Sequence, residues 1–311
     1  MWQSLRMLDI VVETENWQRH VRASAEDLAA LVGRIGGADD RYLVVQRVPD
    51  LPDDYAQVWH ADGEAYTLEY RDGSADRHFQ AHTDRPEVVA AVLTGWARRQ
   101  DGWQADLAWS PLDTGPAPEV PPIDLDDTER GELEARLRAE LAVGYTTRAQ
   151  LAELAEEYPA TADRRPLSRA QAVALADRLW LERVAAQSEW QGGTDPERLT
   201  RAFTALQDSG ITAREHFTCC HSCGQAEIGG AGEPDARGFV YFHTQSTDHA
   251  AAGHGLTLHY GGFDGTEATT AAIGHEVVAA LATAGLPADW DGDPGRSITV
   301  TPLDWRRRLV G

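Results

Sequence analysis

A proline-rich break in the first half of the chain most constrains how it can fold. Residues Thr114 to Pro122 read TGPAPEVPP, and their four prolines lack backbone donors and favour an extended conformation. Such a stretch neither extends a helix nor enters the middle of a sheet, so it predicts a linker over residues 114–122. A chain of 311 residues with 42% hydrophobic content is long enough for two domains. We therefore predict one domain before the linker and a different organisation after it.

The residues before the linker predict a domain that mixes helices and strands. A serine cap, an acidic first turn and leucines at helical spacing predict a helix over residues 24–35. Apolar residues at helical spacing predict a second helix over residues 86–99. Short apolar or alternating runs predict strands that begin at Leu8, Tyr42, Tyr55, Ala65, Asp76 and Trp103. Residues 1–113 are therefore predicted to form an α+β domain.

The chain changes character twice after the linker. Residues 123–193 carry strong helix formers and no strand signal, which predicts an all-helical segment. Residues 194–311 return to a mixed pattern and predict a second α+β domain. Within it, the residues after Cys223 (GQAEIGGAGEPDARG) have loop composition, and GFVYFHTQ from Gly238 predicts one strand.

Three pairs of similar motifs occur in the same order in the two predicted α+β domains. The pairs are YTLEYRDG from Tyr66 with LTLHYGGFDG from Leu256, EVVAAV from Glu87 with EVVAAL from Glu276, and SPLD from Ser110 with TPLD from Thr301. Their offsets of 189 to 191 residues predict an internal duplication of an α-β-β-β-α-β domain, with the helical segment inserted between the copies. The apolar residues of the two EVVAA helices should then be buried at equivalent positions.

The charged residues exclude several classes of function. All 28 basic residues are arginines, so the chain has no lysine for a P-loop, a pyridoxal phosphate Schiff base or a lysine nucleophile. The formal net charge of -22 repels phosphate backbones and anionic lipids, and no segregated basic face offsets it. We therefore expect no nucleic-acid or membrane binding. The charge suits a basic protein partner instead.

The start of the chain indicates its location in the cell. MWQSLRMLDIVVETE lacks the basic start and long apolar run of a signal peptide, and no later segment approaches the length of a membrane span. We therefore expect a cytoplasmic protein. In that reducing compartment, three cysteines are not expected to form a disulfide framework.

The three cysteines of the chain lie within five residues and form its densest group of reactive side chains. Cys220, Cys223 and Gly224 match the C-x-x-C-G pattern of a zinc knuckle, in which two thiolates hold one ion and the glycine lets the backbone turn. A structural zinc ion needs four ligands, so we predict His243 as a further ligand, on a strand returning beside the cysteines. The other candidate ligands are Cys219, His216, His221, His249, His254 and His259. Adjacent cysteines on a strand point to opposite faces, so only one of Cys219 and Cys220 should join Cys223.

Two other interpretations of the cysteines remain open. Redox activity requires a C-x-x-C at the start of a helix, where the helix dipole lowers the pKa of the thiol, and the loop predicted after Cys223 argues against it. Cysteines also pack as small apolar residues in cores. His243, His249, His254 and His259 could bind a metal with Asp248 or Asp264, although the spacing of these histidines fits neither one helical face nor one strand face.

Several segments after residue 194 carry a resemblance to a family. They include DPERLTRAF, HFTCCHSCGQAEI, RGFVYFHTQSTD and LDWRRRL. They resemble the C-terminal domain of uncharacterised bacterial proteins, frequent in actinobacteria, that carry a Cys-Cys-x-x-Cys-Gly signature followed by His-x-Gln-x-Thr. The resemblance covers the helical segment and the C-terminal domain, and it implies a domain of unknown function without a defined reaction. The N-terminal half resembles toxin-neutralising immunity proteins in size and acidity.

Two functions of different classes fit these observations. The first is a non-enzymatic protein-binding module of the immunity or accessory type, which engages a basic partner through its acidic surface. It fits the net charge and the lack of any complete catalytic motif. The second is a small zinc- or thiol-dependent enzyme with its site in the CCHSCG loop, residues 219–224.

Overall fold

The computed structural model describes residues 7–115, 119–161 and 163–310, which form a mixed α/β structure with two sheets. The α-helices of these residues are α1 Ala25–Arg34, α2 Pro86–Ala97, α3 Asp127–Val143, α4 Arg148–Glu157, α5 Arg169–Ser188, α6 Asp195–Asp208, α7 His221–Glu227, α8 Thr244–Ala251 and α9 Glu267–Thr283. The strands are β1 Ile10–Thr14, β2 Arg19–Val21, β3 Tyr42–Leu51, β4 Asp54–Trp59, β5 Tyr66–Asp72, β6 His78–Thr83, β7 Ser110–Pro111, β8 Ile211–Arg214, β9 Gly238–Tyr241, β10 Leu256–Gly262, β11 Ala288–Asp289 and β12 Ile298–Val300.

The described residues fall into two compact units. The first is drawn from Met1–Arg138, Thr146–Ser188 and Arg308–Gly311, and the second from Ala139–Tyr145 and Glu189–Arg307. Most of the predicted helical segment thus groups with the first unit, while α3 contributes residues to both. The predicted domain boundaries stay a prediction, and part of the predicted linker, residues 116–118, lies outside the described residues.

The first unit is built on a seven-stranded antiparallel sheet in the order β2-β1-β3-β4-β5-β6-β7. One face of this sheet packs on α1 and α2, because alternate strand residues such as Leu43, Val45 and Leu68 are apolar and buried there. Helix α1 starts at a capping box in which Ser24 and Asp27 bond each other's backbone. Trp96 on α2 is among the largest fully buried side chains of this core.

A buried carboxylate holds several elements of the first unit together. Asp50, at the end of β3, is only 3% exposed. Its carboxylate accepts a hydrogen bond from Arg148 Nε at 2.6 Å, and Arg148 also bonds Asp177 at 2.8 Å. The Asp50 backbone accepts from Trp180 Nε1 at 2.7 Å and donates to Val310 at 3.1 Å. Burial raises the pKa of Asp50 even though Arg148 opposes this effect, so the arginine is what makes the buried charge tolerable.

The second unit contains a five-stranded sheet in the order β11-β12-β10-β9-β8. Strands β8 and β9 are parallel, with Ile211 opposite Gly238, and the other pairs are antiparallel. Helices α6 and α9 pack together over the apolar residues of this sheet. Parallel neighbours need a crossover connection, which here contains α7.

The predicted duplication is not confirmed, because the two sheets have different topologies. The first unit has four consecutive antiparallel strands between α1 and α2, whereas helices α7 and α8 separate the strands of the second unit. Neither unit therefore follows the predicted α-β-β-β-α-β order. The two EVVAA helices also bury different positions: Val89 is buried and Val88 only partly, while Val277 is buried and its neighbour Val278 only partly. The repeated letters reflect apolar helix composition, since the buried face of each helix is set by its own sheet.

No helix among the described residues combines the length and the apolar character needed to cross a bilayer.

We expect the substitution Arg148→Met to destabilise the first unit by about 3 to 5 kcal/mol, because it leaves Asp50 buried without its side-chain partner. The double variant Asp50→Asn with Arg148→Met should lose clearly less than the sum of the two single losses. Urea unfolding of the three variants measures this. Arg178→Met removes ion pairs of an arginine that is 46% exposed and should cost about 1 kcal/mol or less. Additive losses in the double variant would contradict the coupling.

Candidate metal and thiol site

The cysteines lie at the edge of the sheet where two parallel strands end. Because β8 and β9 run in the same direction, the chain leaves both of them at one edge, which is where α/β proteins commonly form ligand sites. The pairing continues past the strands, since Phe217 N donates to Phe242 O at 2.8 Å and Thr244 N donates to Thr218 O at 3.1 Å. Residues 215–223, which we call the cysteine loop, are therefore hydrogen-bonded to the segment that leads from β9 into α8.

A sharp turn before the cysteines brings their side chains together. His216 and Thr218 adopt left-handed backbone conformations, with φ of 49° and 57°. The hydroxyl of Thr244 donates to the carbonyl oxygen of Thr218 at 3.0 Å. The same hydroxyl lies 2.8 Å from the carbonyl oxygen of Cys219. Strand β8 ends at Arg214, so the backbone that leads into Cys219 and Cys220 is not the extended strand assumed for these cysteines.

A cluster of aromatic and charged side chains supports the base of this loop. Tyr145 donates its hydroxyl hydrogen to Glu215 at 2.6 Å, and the guanidinium of Arg307 lies 3.2 Å from Glu215 and 3.7 Å from the centre of the Tyr145 ring. The His216 ring stacks on Tyr145 with centroids 4.4 Å apart, and its Nδ1 lies 3.0 Å from Thr247 Oγ1. Burial lowers the pKa of His216 to about 4, so this ring is neutral at pH 7.

All three thiols meet in one group. The Sγ atoms of Cys219, Cys220 and Cys223 all lie within 4.8 Å of one another, and this group could hold a metal ion. Cys219 Sγ is 3.8 Å from Cys220 Sγ and 3.4 Å from Cys223 Sγ. The prediction that only one of the adjacent cysteines joins Cys223 was therefore wrong, because it assumed an extended backbone. A hydrogen bond from the Cys223 backbone lowers the pKa of the Cys220 thiol. The hydrogen bond between the Cys223 and Cys219 side chains raises the pKa of Cys223 to about 11.

A short helix, not the predicted loop, follows the first two cysteines. Helix α7 begins directly after Cys220, which is its N-cap residue, and Cys223 lies in its first turn. The geometric condition for the thiol interpretation, a C-x-x-C at the start of a helix, is thus present. One glycine and few apolar residues hid this helix from periodicity analysis, since seven residues are too few to show an amphipathic repeat.

Gly224 is required for close packing and not for a turn. A Cβ atom at this position would lie 2.6 Å from Tyr241 Cζ and 2.8 Å from its hydroxyl oxygen. Its φ is not in the left-handed region, so the expected role of turning the backbone under the sulfurs is not the reason for the glycine. Helix α7 instead rests directly on the Tyr241 ring of β9, and any side chain would push it away.

His243 occupies a position that differs from the one predicted. It is 8% exposed and is the N-cap residue of α8, where its Nδ1 accepts a hydrogen bond from Ser246 N at 3.2 Å. Burial lowers the pKa of His243, and a neutral ring whose Nδ1 accepts must carry its proton on Nε2. In that tautomer neither nitrogen has a lone pair free for a metal. His243 is not part of the cysteine group found among the described residues, and its role as a ligand stays a prediction.

Three histidine rings and a tyrosine lie in contact beside the cysteine loop. The His221 and His259 rings are 4.4 Å apart, His243 and His259 are 5.1 Å apart, and Tyr241 is 5.3 Å from His259. Burial lowers the pKa of His259 to about 4, and its Nε2 is buried without a hydrogen-bond partner. His243 and His259 also line a cavity of about 470 Å³. Spacing along the chain did not reveal this cluster, because the pairing of His259 with Tyr241 across two strands creates it.

The comparisons with known proteins identify a family. A model of the family Domain of unknown function (DUF6891) matches residues 126–309, which is more than half of the chain and includes the cysteine loop. No curated protein and no solved structure matches the chain. The match confirms an uncharacterised domain where the sequence resemblance indicated one, whereas the actinobacterial origin and the cysteine signature of the family stay predictions.

We expect Gly224→Ala to destabilise the second unit by about 1 to 3 kcal/mol, because the added methyl group overlaps the Tyr241 ring. Urea unfolding checks this value. Gly229→Ala is the matched control, since its Cβ would meet nothing within 4 Å. Equal stabilities of the two variants would show that α7 does not pack on Tyr241 as described.

Acid should weaken the second unit through His216. Between the ordinary pKa of 6.5 and the folded value of about 4, the unfolded chain binds a proton that the folded ring does not. The free energy of unfolding should therefore fall as the pH drops from 6.5 to 4. The variant His216→Phe keeps an aromatic ring on Tyr145. In this variant the number of protons taken up on unfolding, given by the slope of the free energy of unfolding against pH, should fall by up to one. Backbone strain in the variant lowers stability equally at every pH, so unchanged pH dependence would refute the assignment.

Proposed function

Because the chain belongs to the DUF6891 family, whose description names no activity, we propose a function from the site itself: the domain binds one thiophilic metal ion of the zinc class. The ligands are the thiolates of Cys219, Cys220 and Cys223. The residue type supports this choice, since thiolates are soft ligands that favour zinc over magnesium or calcium.

The spacing of the sulfur atoms is the observation that carries the proposal. A tetrahedral zinc ion with Zn–S bonds of about 2.3 Å places its sulfurs about 3.8 Å apart. The two measured distances, 3.8 and 3.4 Å, lie close to this value. Packed core cysteines have no reason to bring three sulfurs together on a partly exposed loop, and Cys219 is exposed.

The proposed ion would retain an open coordination position. Among the described residues, no histidine, carboxylate or further cysteine joins the three thiols as a fourth ligand. Three protein ligands and one open position are typical of zinc ions that bind water or substrate. The site therefore suits the zinc-dependent enzyme better than a purely structural knuckle. In the absence of metal, the lowered pKa of Cys220 favours the thiol-dependent alternative at the same residues.

We expect protein purified with reductant and without chelator to contain about one zinc ion per chain by elemental analysis. Cys223→Ser removes a direct ligand of the zinc ion. Loss of a residue that only supports a ligand weakens metal binding about 10-fold to 100-fold, so the loss in this variant should be at least as large. Ser222→Ala is the matched control, because it changes the same loop and keeps all three thiols. Protein that remains metal-free after zinc is added under reducing conditions would refute the metal site and leave the thiol alternative.

The same measurement tests His243 as a fourth ligand. His243→Asn removes the imidazole but keeps a side chain that caps helices well, so α8 should remain intact. We expect this variant to retain its zinc, because the Nδ1 lone pair of His243 is already used by Ser246. A loss as large as that in Cys223→Ser would instead establish His243 as a ligand.

A second candidate function is supported by the net charge of -22. We propose that the acidic surface engages a basic protein, in the manner of immunity or accessory proteins. Complementary charge raises the rate of such association and makes it sensitive to salt. This candidate does not exclude the first, because it depends on the surface and not on the cysteines.

A further inference from the structure

The first unit presents an aromatic and acidic surface on its sheet, within the residues that precede the DUF6891 match. Strand register places Tyr42, Trp59 and Thr67 side by side in one row of one sheet face. The next row of the same face contains Val44, Gln57, Glu69 and Gln80. Tyr42 and Trp59 are 41% and 37% exposed, so both rings present apolar surface to solvent. Together with Glu69 they line a cavity of about 300 Å³, which we call the Glu69 cradle.

The carboxylate in this cradle is held in place by neutral groups. Gln57 donates its amide hydrogen to Glu69 Oε2 at 2.7 Å, and Gln80 donates to Oε1 at 2.8 Å from the other side. His78 Nε2 lies 3.2 Å from Glu69, but burial lowers the pKa of this histidine and keeps it neutral. Arg71, which follows on the same face, is already paired with Asp53 at 2.9 Å. The two glutamines thus fix the orientation of the Glu69 carboxylate, and no arginine of the described residues forms an ion pair with it.

Similar pairs of an aromatic ring and a carboxylate hold an arginine elsewhere in the chain. Arg47 lies 3.9 Å above the Trp96 ring and 2.7 Å from Asp54. Three further arginines of the described residues make the same double contact; the sets are Arg71 with Tyr55 and Asp53, Arg306 with Trp190 and Asp304, and Arg307 with Tyr145 and Glu215. The Glu69 cradle has the rings and the carboxylate of such a set, and no arginine of the described residues occupies it.

We propose that the Glu69 cradle binds an arginine side chain of a basic partner protein. The guanidinium is planar, so it can stack on Trp59 while its N–H groups reach the carboxylate. Trp59 and Glu69 are diagonal neighbours on adjacent strands, and such positions lie about 7–8 Å apart, which leaves room for one guanidinium between them. Glu69 has four acceptor sites; the glutamines use two and His78 Nε2 lies near a third, which leaves one for a guanidinium N–H group. The proposal rests on the second candidate function and gives that partner a docking site; it does not involve the metal site.

The test follows Trp59 directly in the full chain labelled with 5-fluorotryptophan. Its ¹⁹F signal is assigned by its loss in Trp59→Phe, and the signal of Trp17, which is 94% exposed, is the control within each spectrum. The probe is the peptide acetyl-Gly-Ser-Arg-Ser-Gly-amide, compared with the same peptide carrying lysine or neutral citrulline. We expect the arginine peptide to shift Trp59 and not Trp17, at concentrations where the other two peptides have little effect.

A matched pair of charge variants separates the cradle from general acidity. Glu69→Gln should weaken binding of the arginine peptide about tenfold or more, because it removes a charge-assisted hydrogen bond. Glu64→Gln removes the same charge from an exposed site nearby and should leave binding unchanged. An equal shift with the citrulline or lysine peptide, equal binding by the two variants, or no shift of Trp59 at all would each overturn the proposal.

A parallel experiment distinguishes failure of the cradle from failure of the acidic-surface proposal. Cytochrome c, a basic protein, is passed over the immobilised wild type and Glu69→Gln at low and high salt. Salt-sensitive retention that Glu69→Gln weakens supports the cradle. Equal salt-sensitive retention by both proteins overturns the cradle and leaves the acidic surface standing, whereas no retention by either one counts against both.

Discussion

The parallel pairing of β8 and β9 is the interaction on which the candidate site depends. The carboxyl ends of two neighbouring strands lie at the same edge of a sheet only when the strands are parallel. Here the segments that follow these two ends are the cysteine loop and the start of α8. Backbone bonds from Phe217 and Thr244 extend the pairing beyond the strands, so the loop is held by the sheet and not only by its own turns. Antiparallel pairing of these two strands would place the cysteines and His243 at opposite edges. The chemistry of the loop is therefore a consequence of topology.

The sequence predicted much of the fold where residues repeat with a clear period. Helices α1 and α2 and strands β3 to β5 have apolar residues at helical or alternating spacing, and they lie close to their predicted positions. Helices α7 and α8 were missed, because HSCGQAE and TQSTDHAA are short and carry few apolar residues. Their start is determined by contacts with β9 and with the loop, and a local pattern contains no record of such contacts. The prediction of two similar domains was misled in the opposite way, by shared helix composition without a shared buried face.

The candidate site was only partly predictable for a related reason. The three cysteines drew attention by their density, but whether their sulfurs meet depends on the left-handed backbone at His216 and Thr218. Glycine is the residue that signals this conformation from sequence, and neither position is a glycine. The supports of the loop, Tyr145 and Arg307, lie 70 residues or more from Glu215 along the chain. No spacing rule connects such residues, and their roles follow only from the folded structure.

The hydrogen bonds of Thr244 give the cysteine loop a mechanical link to a helix end. This residue starts α8 and also bonds the carbonyl groups of Thr218 and Cys219, while His243 caps the same helix turn. Helix ends fray more readily than helix centres, so we expect opening of this first turn to loosen the cysteines as well. The loop and the turn therefore behave as one dynamic unit. A ligand that orders either of them slows the fluctuations of the other without touching it.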